Sequence, residues 1–186
     1  ALESITIPEK VTTIGEGAFL SCASLKTVTF AQGSNLKKIE SNAFSGTVLE
    51  SITIPEKVTT IGAGAFEHCT PLKTVTFVQG SELKEIGSRA FSQTALESIT
   101  IPEKVTTIGE GAFYECTSLG SITIPSSVTS IESRAFSGCT KLGSITIPSS
   151  VTSIGWGAFC KCTKLGSITI PSSVTTIGAN AFAQCS

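Results

Sequence analysis

The chain has 186 residues, of which 40% are hydrophobic and only 15% charged, and 13 Lys and Arg set against 14 Asp and Glu give a formal net charge of −1. So even a balance excludes the basic stripe of a nucleic-acid binder and polybasic contact with an anionic membrane. Mean hydropathy is positive at +0.31, yet the apolar residues are dispersed in short SITI and GAF clusters, and no run is long enough to cross a bilayer as a helix.

Equivalent leucines stand at Leu2, Leu25, Leu49, Leu72, Leu96, Leu119, Leu142 and Leu165, so eight units follow one another at intervals of 23 or 24 residues. A fixed period in this range marks a solenoid in which each unit is one coil. The repeat is unbroken and leaves no place for a domain boundary. Residues 1–186 therefore read as a single solenoid domain.

The fifth unit, Leu96 to Ser118, serves as the pattern. Leu96, Ile99 and Ile101 alternate with Ser98 and Thr100, which predicts a short strand with one buried face. Pro102 removes a backbone donor and stops it, while Val105 and Ile108 carry the apolar set through a second extended piece. After a turn at Gly109, Ala112, Phe113 and Cys116 have the spacing that places them on one side of a single helical turn. A lone coil cannot cover its own open faces, but stacked coils pair their strand edges into a parallel sheet at about 4.8 Å per coil. The expected architecture is an α/β repeat: a solenoid with a parallel sheet on one face and short helical turns opposite.

In chain order, the first two units are closely duplicated by the next two. The second member of each pair is longer and lacks the proline, reading FAQGSNLKKI or FVQGSELKEI where the others have the IPEKVTTI pattern. A bulge on one edge is expected there. From Leu119 onward the Glu-Lys pair after the proline becomes Ser-Ser.

Stacking turns repeats into columns. The position after the first leucine runs Glu3, Lys26, Glu50, Lys73, Glu97, an alternation that avoids like charges in contact and serves register and solubility. On the outward side of the strand stand Thr6, Thr29, Thr53, Thr76, Thr100, Thr123, Thr146 and Thr169, each preceded at two residues by Ser or Thr. Threonine is a good solvent-facing strand residue in its own right. Such hydroxyl rows on a flat sheet would also suit a repetitive ligand such as ice or a polysaccharide.

Six of the seven cysteines share one column, each three residues after the coil's Phe: Cys22, Cys69, Cys116, Cys139, Cys162 and Cys185, with Thr47 and Thr94 in the same place in coils 2 and 4. Cys22 and Cys69 are two coils apart, about 9.6 Å, beyond the reach of a disulfide, and thiols stacked in register point in parallel. Buried, reduced cysteines are expected. Cys160 lies off the column beside Lys161 and is expected to be the exposed, reactive thiol. Cys160 and Cys162 are not followed by a second ligand pair at finger spacing, so no metal is expected.

Catalytic chemistry finds few residues. His68 is the sole histidine and there is no aspartate, which rules out a Ser-His-Asp triad; no glycine run matches a phosphate loop. No enzyme activity and no cofactor are expected. Tyr114 and Trp156 fall on outward turn positions, where an aromatic can anchor a partner.

The motif LxxITIPxxVTxIGxxAFxxC, seen at Leu2 to Cys22 and again at Leu96 to Cys116, Leu119 to Cys139, Leu142 to Cys162 and Leu165 to Cys185, resembles the BspA-like leucine-rich repeat. The resemblance implies a curved right-handed solenoid with the hydroxyl face concave, carried on a cell surface or outside the cell. It also implies a protein partner such as extracellular matrix or another cell surface, with the eight threonines as the binding face. A passive structural spacer is the alternative. Because both ends lie in full motif, the segment is expected to derive from a longer repeat protein and, by itself, to associate end to end or fray at its terminal coils.

Overall fold

A computed structural model describes residues 1–185. Coils 1 to 6 begin with the predicted strand, and every coil closes its second side with a two-residue strand. In chain order these are β1 (Ser4–Ile7), β2 (Thr13–Ile14), β3 (Thr27–Phe30), β4 (Lys38–Ile39), β5 (Ser51–Ile54), β6 (Thr60–Ile61) and β7 (Thr74–Phe77). They continue as β8 (Glu85–Ile86), β9 (Ser98–Thr100), β10 (Thr107–Ile108), β11 (Ser121–Thr123), β12 (Ser130–Ile131), β13 (Ser153–Ile154) and β14 (Thr176–Ile177). All pairing is parallel and in register from coil to coil, for example Ile5 on Val28 and Ile108 on Ile86. The in-out alternation read from the sequence is the one observed: Ile99 is buried between exposed Ser98 and Thr100.

The third side of each coil corrects the expected helical turn. No helix forms among the described residues. In coil 5, Ala112 N–H donates to Gly109 C=O at 3.1 Å and Cys116 N–H to Phe113 C=O at 3.2 Å, two successive four-residue turns. Their third residues, Gly111 and Glu115, have φ of 60° and 54°. That is the left-handed region a type II turn requires at this place, and it interrupts a right-handed helix at every fourth residue. The N–H groups that a helix would use internally point instead at the next coil: Phe113 donates to Ala135 C=O and Phe91 to Ala112 C=O, both at 2.9 Å. Inter-coil bonding offsets the cost of the left-handed residues.

One core runs through the stack. All eight apolar positions of coil 5, from Leu96 to Cys116, are buried. At its centre Phe19, Phe44, Phe66, Phe91, Phe113, Phe136, Phe159 and Phe182 form a continuous stack, with centroids 5.1–5.6 Å apart and rings within 14° of parallel. Coils draw close at the Ile-Gly corners: a Cβ on Gly109 would lie 2.5 Å from the backbone nitrogen of Ser88. The Ser-Ser coils are tied by side chains as well, Ser150 and Ser173 donating to Val128 and Val151 C=O at 2.6 and 2.7 Å.

The first strand array is interrupted where the longer coils meet their successors. β1 pairs with β3, β5 with β7 and β9 with β11, but β3 does not pair with β5, nor β7 with β9. The second array is continuous from β2 to β10. Ile54 and Ile101 fit fully inside their column, whereas Phe30 and Phe77 in the same place are too large and stay half-buried. After each Phe the extra residues bulge out, and Ser34 and Ser81 brace the loop by accepting from Leu36 and Leu83 N–H at 3.3 Å. The expected bulge is thus present, and a break in the sheet accompanies it.

Candidate functional site

All eight threonines of the outward row, Thr6, Thr29, Thr53, Thr76, Thr100, Thr123, Thr146 and Thr169, are exposed on the strand face. Six of them lie on strands; Thr146 and Thr169 belong to coils 7 and 8, where only the second strand forms. Thr6 and Thr29 hydroxyls are hydrogen-bonded at 2.8 Å. The row is not uniform, because the sheet breaks cut across it. Thr29 and Thr53 face each other over one break and Thr76 and Thr100 over the other, and each pair lines an open groove, of about 550 and 560 Å³ respectively. The sequence singled out these threonines but not the grooves between them. The signal was present in the two 24-residue coils that place Phe at the end of the strand.

The charged column alongside stays in solvent. Among the described residues the ion pairs within 4.0 Å both involve Glu67, with Arg89 at 3.5 Å and with His68 at 4.0 Å, and none joins members of the Glu3 to Glu97 column. Their alternation therefore prevents repulsion rather than forming bridges.

On the turn face the two outward aromatics are brought into one hollow of about 360 Å³, together with Arg134, Cys160 and Lys161. The Arg134 guanidinium lies 4.4 Å from the centroid of the Trp156 ring, a cation–π contact. Nearby, Gln93 Nε2 donates to Glu115 at 2.6 Å, and this bond with a second from Tyr114 holds the Glu115 carboxyl below its usual range.

The cysteine column is a ladder of free thiols. In the buried part of the column each Sγ donates to the Phe carbonyl of the coil below: Cys69 to Phe44, Cys116 to Phe91, Cys139 to Phe113 and Cys162 to Phe136, at 3.0–3.2 Å. In coils 2 and 4 threonine takes the place, and Thr94 donates to Phe91 C=O at 2.9 Å. Burial pushes the Cys116 thiol up to about 11 and Cys162 to about 12, with Cys139 also well above the usual range. Cys160 is half-buried, as are Cys22 and Cys185 in the end coils, so it shares accessibility with two others. A thiol reagent should therefore label Cys160, Cys22 and Cys185 in the native protein and the other four only after denaturation, read by mass spectrometry of the peptides. Native labelling of Cys116 or Cys139 at the rate of Cys160 would contradict the ladder.

Among the described residues no cluster of His, Cys, Asp or Glu could hold a metal ion, and no helix is long and apolar enough to cross a membrane.

Solved structures resemble this architecture over nearly the whole chain. A leucine-rich repeat protein of T. pallidum superposes with a TM-score of 0.78 at 28% identity, covering 98% of this chain and 82% of that one. The pneumococcal vaccine antigen PcpA gives a TM-score of 0.70 at 26% identity over 95% of this chain, and a leucine-rich cell surface protein of Faecalibacterium prausnitzii 0.60 at 34% over 99%. The chain spans only 58% and 65% of the length of these last two. No curated protein sequence matches. The family described as BspA type leucine rich repeat region matches in six copies over residues 1–109 and 84–186. With that coverage, and with a parallel-strand coil at every repeat, the chain belongs to the BspA-type leucine-rich repeat family.

Proposed function

We propose that this chain is a non-catalytic protein-binding module of a cell-surface protein and that it engages its partner, an extracellular-matrix protein or another cell's surface, through the strand face. The observation that carries this reading is the outward row of exposed Ser and Thr across all eight coils, held on a rigid stacked core. A broad polar face of this kind offers hydrogen bonding without the cost of ordering a loop. Its similarity to a leucine-rich cell surface protein and to a vaccine antigen supports placement outside the cell. The two sheet breaks weigh against an ice or polysaccharide lattice, which needs an uninterrupted period.

Thr123 and Thr146 lie on this face away from both grooves. The variant Thr123→Glu/Thr146→Glu should keep the parent melting temperature yet bind immobilised matrix proteins at least about tenfold more weakly, since each buried carboxylate would lack a partner. Binding that is unchanged in this variant but lost in Trp156→Ala would move the site to the turn face and refute the proposal.

A further inference from the structure

We propose that the hollow on the turn face is a binding site for a small aromatic carboxylic acid, whose carboxylate lies between Arg134 and Lys161 and whose ring lies against Tyr114 and Trp156. The site is separate from the strand face and does not depend on the protein-binding reading.

The repeat supplies an internal comparison. Arginine stands two residues before the coil's Phe in two places, as Arg89 in coil 4 and Arg134 in coil 6. Arg89 reaches back one coil to the residue that follows that coil's Phe, Glu67, and sets Nη1 3.5 Å from its carboxylate. At the equivalent place for Arg134 stands Tyr114, so the carboxylate is missing. Arg134 makes no ion pair within 4.0 Å among the described residues, and its guanidinium lies over Trp156 instead. A guanidinium held against a ring keeps N–H donors for a carboxylate.

The charges around the hollow are unbalanced in the same sense. Lys161 lines it too and makes no ion pair within 4.0 Å among the described residues, while no carboxylate belongs to the lining. Glu115, next to Tyr114, is taken up by hydrogen bonds from Gln93, at 2.6 Å, and from Tyr114. An anion on the occupant therefore complements two cations, and the Arg89–Glu67 pair shows that this position on the coil accepts a carboxylate.

Room for the rest of the occupant comes from coil 6. It has Ser137 and Gly138 where coils 5 and 7 have Tyr114-Glu115 and Cys160-Lys161, so small residues lie between larger ones. Ser137 lines the resulting hollow and is itself only 7% exposed. At about 360 Å³ the hollow is near the lower end of ligand pockets, which run from about 300 to 1,000 Å³, and this suits a single-ring molecule. Tyr114 and Trp156 supply aromatic walls against which a ring packs offset or edge to face.

Trp156 is the one tryptophan of the chain, so its fluorescence reports from this site alone. The whole chain would be titrated with benzoate, with benzamide as the neutral molecule of the same shape, and with acetate and inorganic phosphate as anions that have no ring. Benzoate should give a saturable change with a midpoint of about 1 mM or below, and the other three should give none even at about ten times that concentration. Saturating benzoate should also slow alkylation of Cys160 by iodoacetamide, since Cys160 lines the hollow, and leave Cys22 in coil 1 unaffected. Arg134→Asn should weaken benzoate at least about tenfold. Asparagine already takes the left-handed conformation at this place in the coil, at Asn42 and Asn180, so the variant keeps the backbone. Tyr114→Glu should bind at least about tenfold more weakly than Tyr114→Gln, because the new carboxylate takes Arg134 as Glu67 takes Arg89. Both should melt at the same temperature, which separates this loss from misfolding. Absence of a saturable change with benzoate overturns the proposal, and so does equal binding of benzamide, acetate or phosphate. Unslowed alkylation of Cys160, or equal binding by Tyr114→Glu and Tyr114→Gln, overturns it as well.

Discussion

Phe113→Ala should lower the stability by about 3 to 5 kcal/mol, the largest loss expected from any single truncation in the chain. Phe113 is fully buried and stacked on both sides, with Phe91 and Phe136 each 5.6 Å away. Removing its ring opens a cavity that rigid neighbours cannot fill, and both inter-coil contacts are lost together. In a chain of this size the change corresponds to a fall in melting temperature of roughly 10 °C. Phe182→Ala should cost clearly less, because Phe182 is half-buried and stacks on Phe159 alone. Thermal unfolding followed by circular dichroism, with hydrogen exchange resolved by coil, would measure both. Equal losses at the two positions would contradict a stack whose energy comes from neighbouring coils.

Alkali should unfold the protein through its thiol column. Cys116 is pushed up to about 11, Cys162 to about 12 and Cys139 well above the usual range, in each case chiefly by burial, which disfavours the thiolate. The unfolded chain would ionise these thiols near pH 8.5 to 9. A folded pKa raised above the unfolded one leaves stability intact below about pH 9 and removes it as pH climbs toward the folded value. Each of the three thiols then costs about 1.4 kcal/mol per pH unit, together about 4, against a total stability of roughly 5 to 15 kcal/mol for a typical domain. Cooperative loss of structure between about pH 9 and 11 is expected. The variant Cys116→Thr/Cys139→Thr/Cys162→Thr tests the cause, since Thr47 and Thr94 already fill this column and Thr94 donates to the same kind of carbonyl. Its alkaline midpoint should rise by about one pH unit above that of the parent chain. An unchanged midpoint would assign the transition to other groups.

The sequence by itself determined the coil count, the strand face and the contents of the core. Leu96, Ile99, Ile101, Val105, Ile108, Ala112, Phe113 and Cys116 were legible as buried because a period of two and a fixed repeat leave each of them one inward direction, and all are buried. The outward threonines were legible for the same reason. The third side was misread because Ala, Phe and Cys at i, i+1 and i+4 fit one face of a helix equally well. What decides against the helix is a left-handed residue two before each Phe, and Gly or Asn at that place in coils 1, 2, 3, 5, 7 and 8 was the available sign. Only the tertiary structure could settle the grooves. A longer coil shows in the sequence as one extra residue and a Phe for an Ile, but whether the neighbouring coil closes over it or stands off depends on how much of that ring the stack can admit. Phe30 and Phe77 stay half-buried while Ile54 and Ile101 disappear into the core, and a groove opens at those two steps because the column is sized for isoleucine.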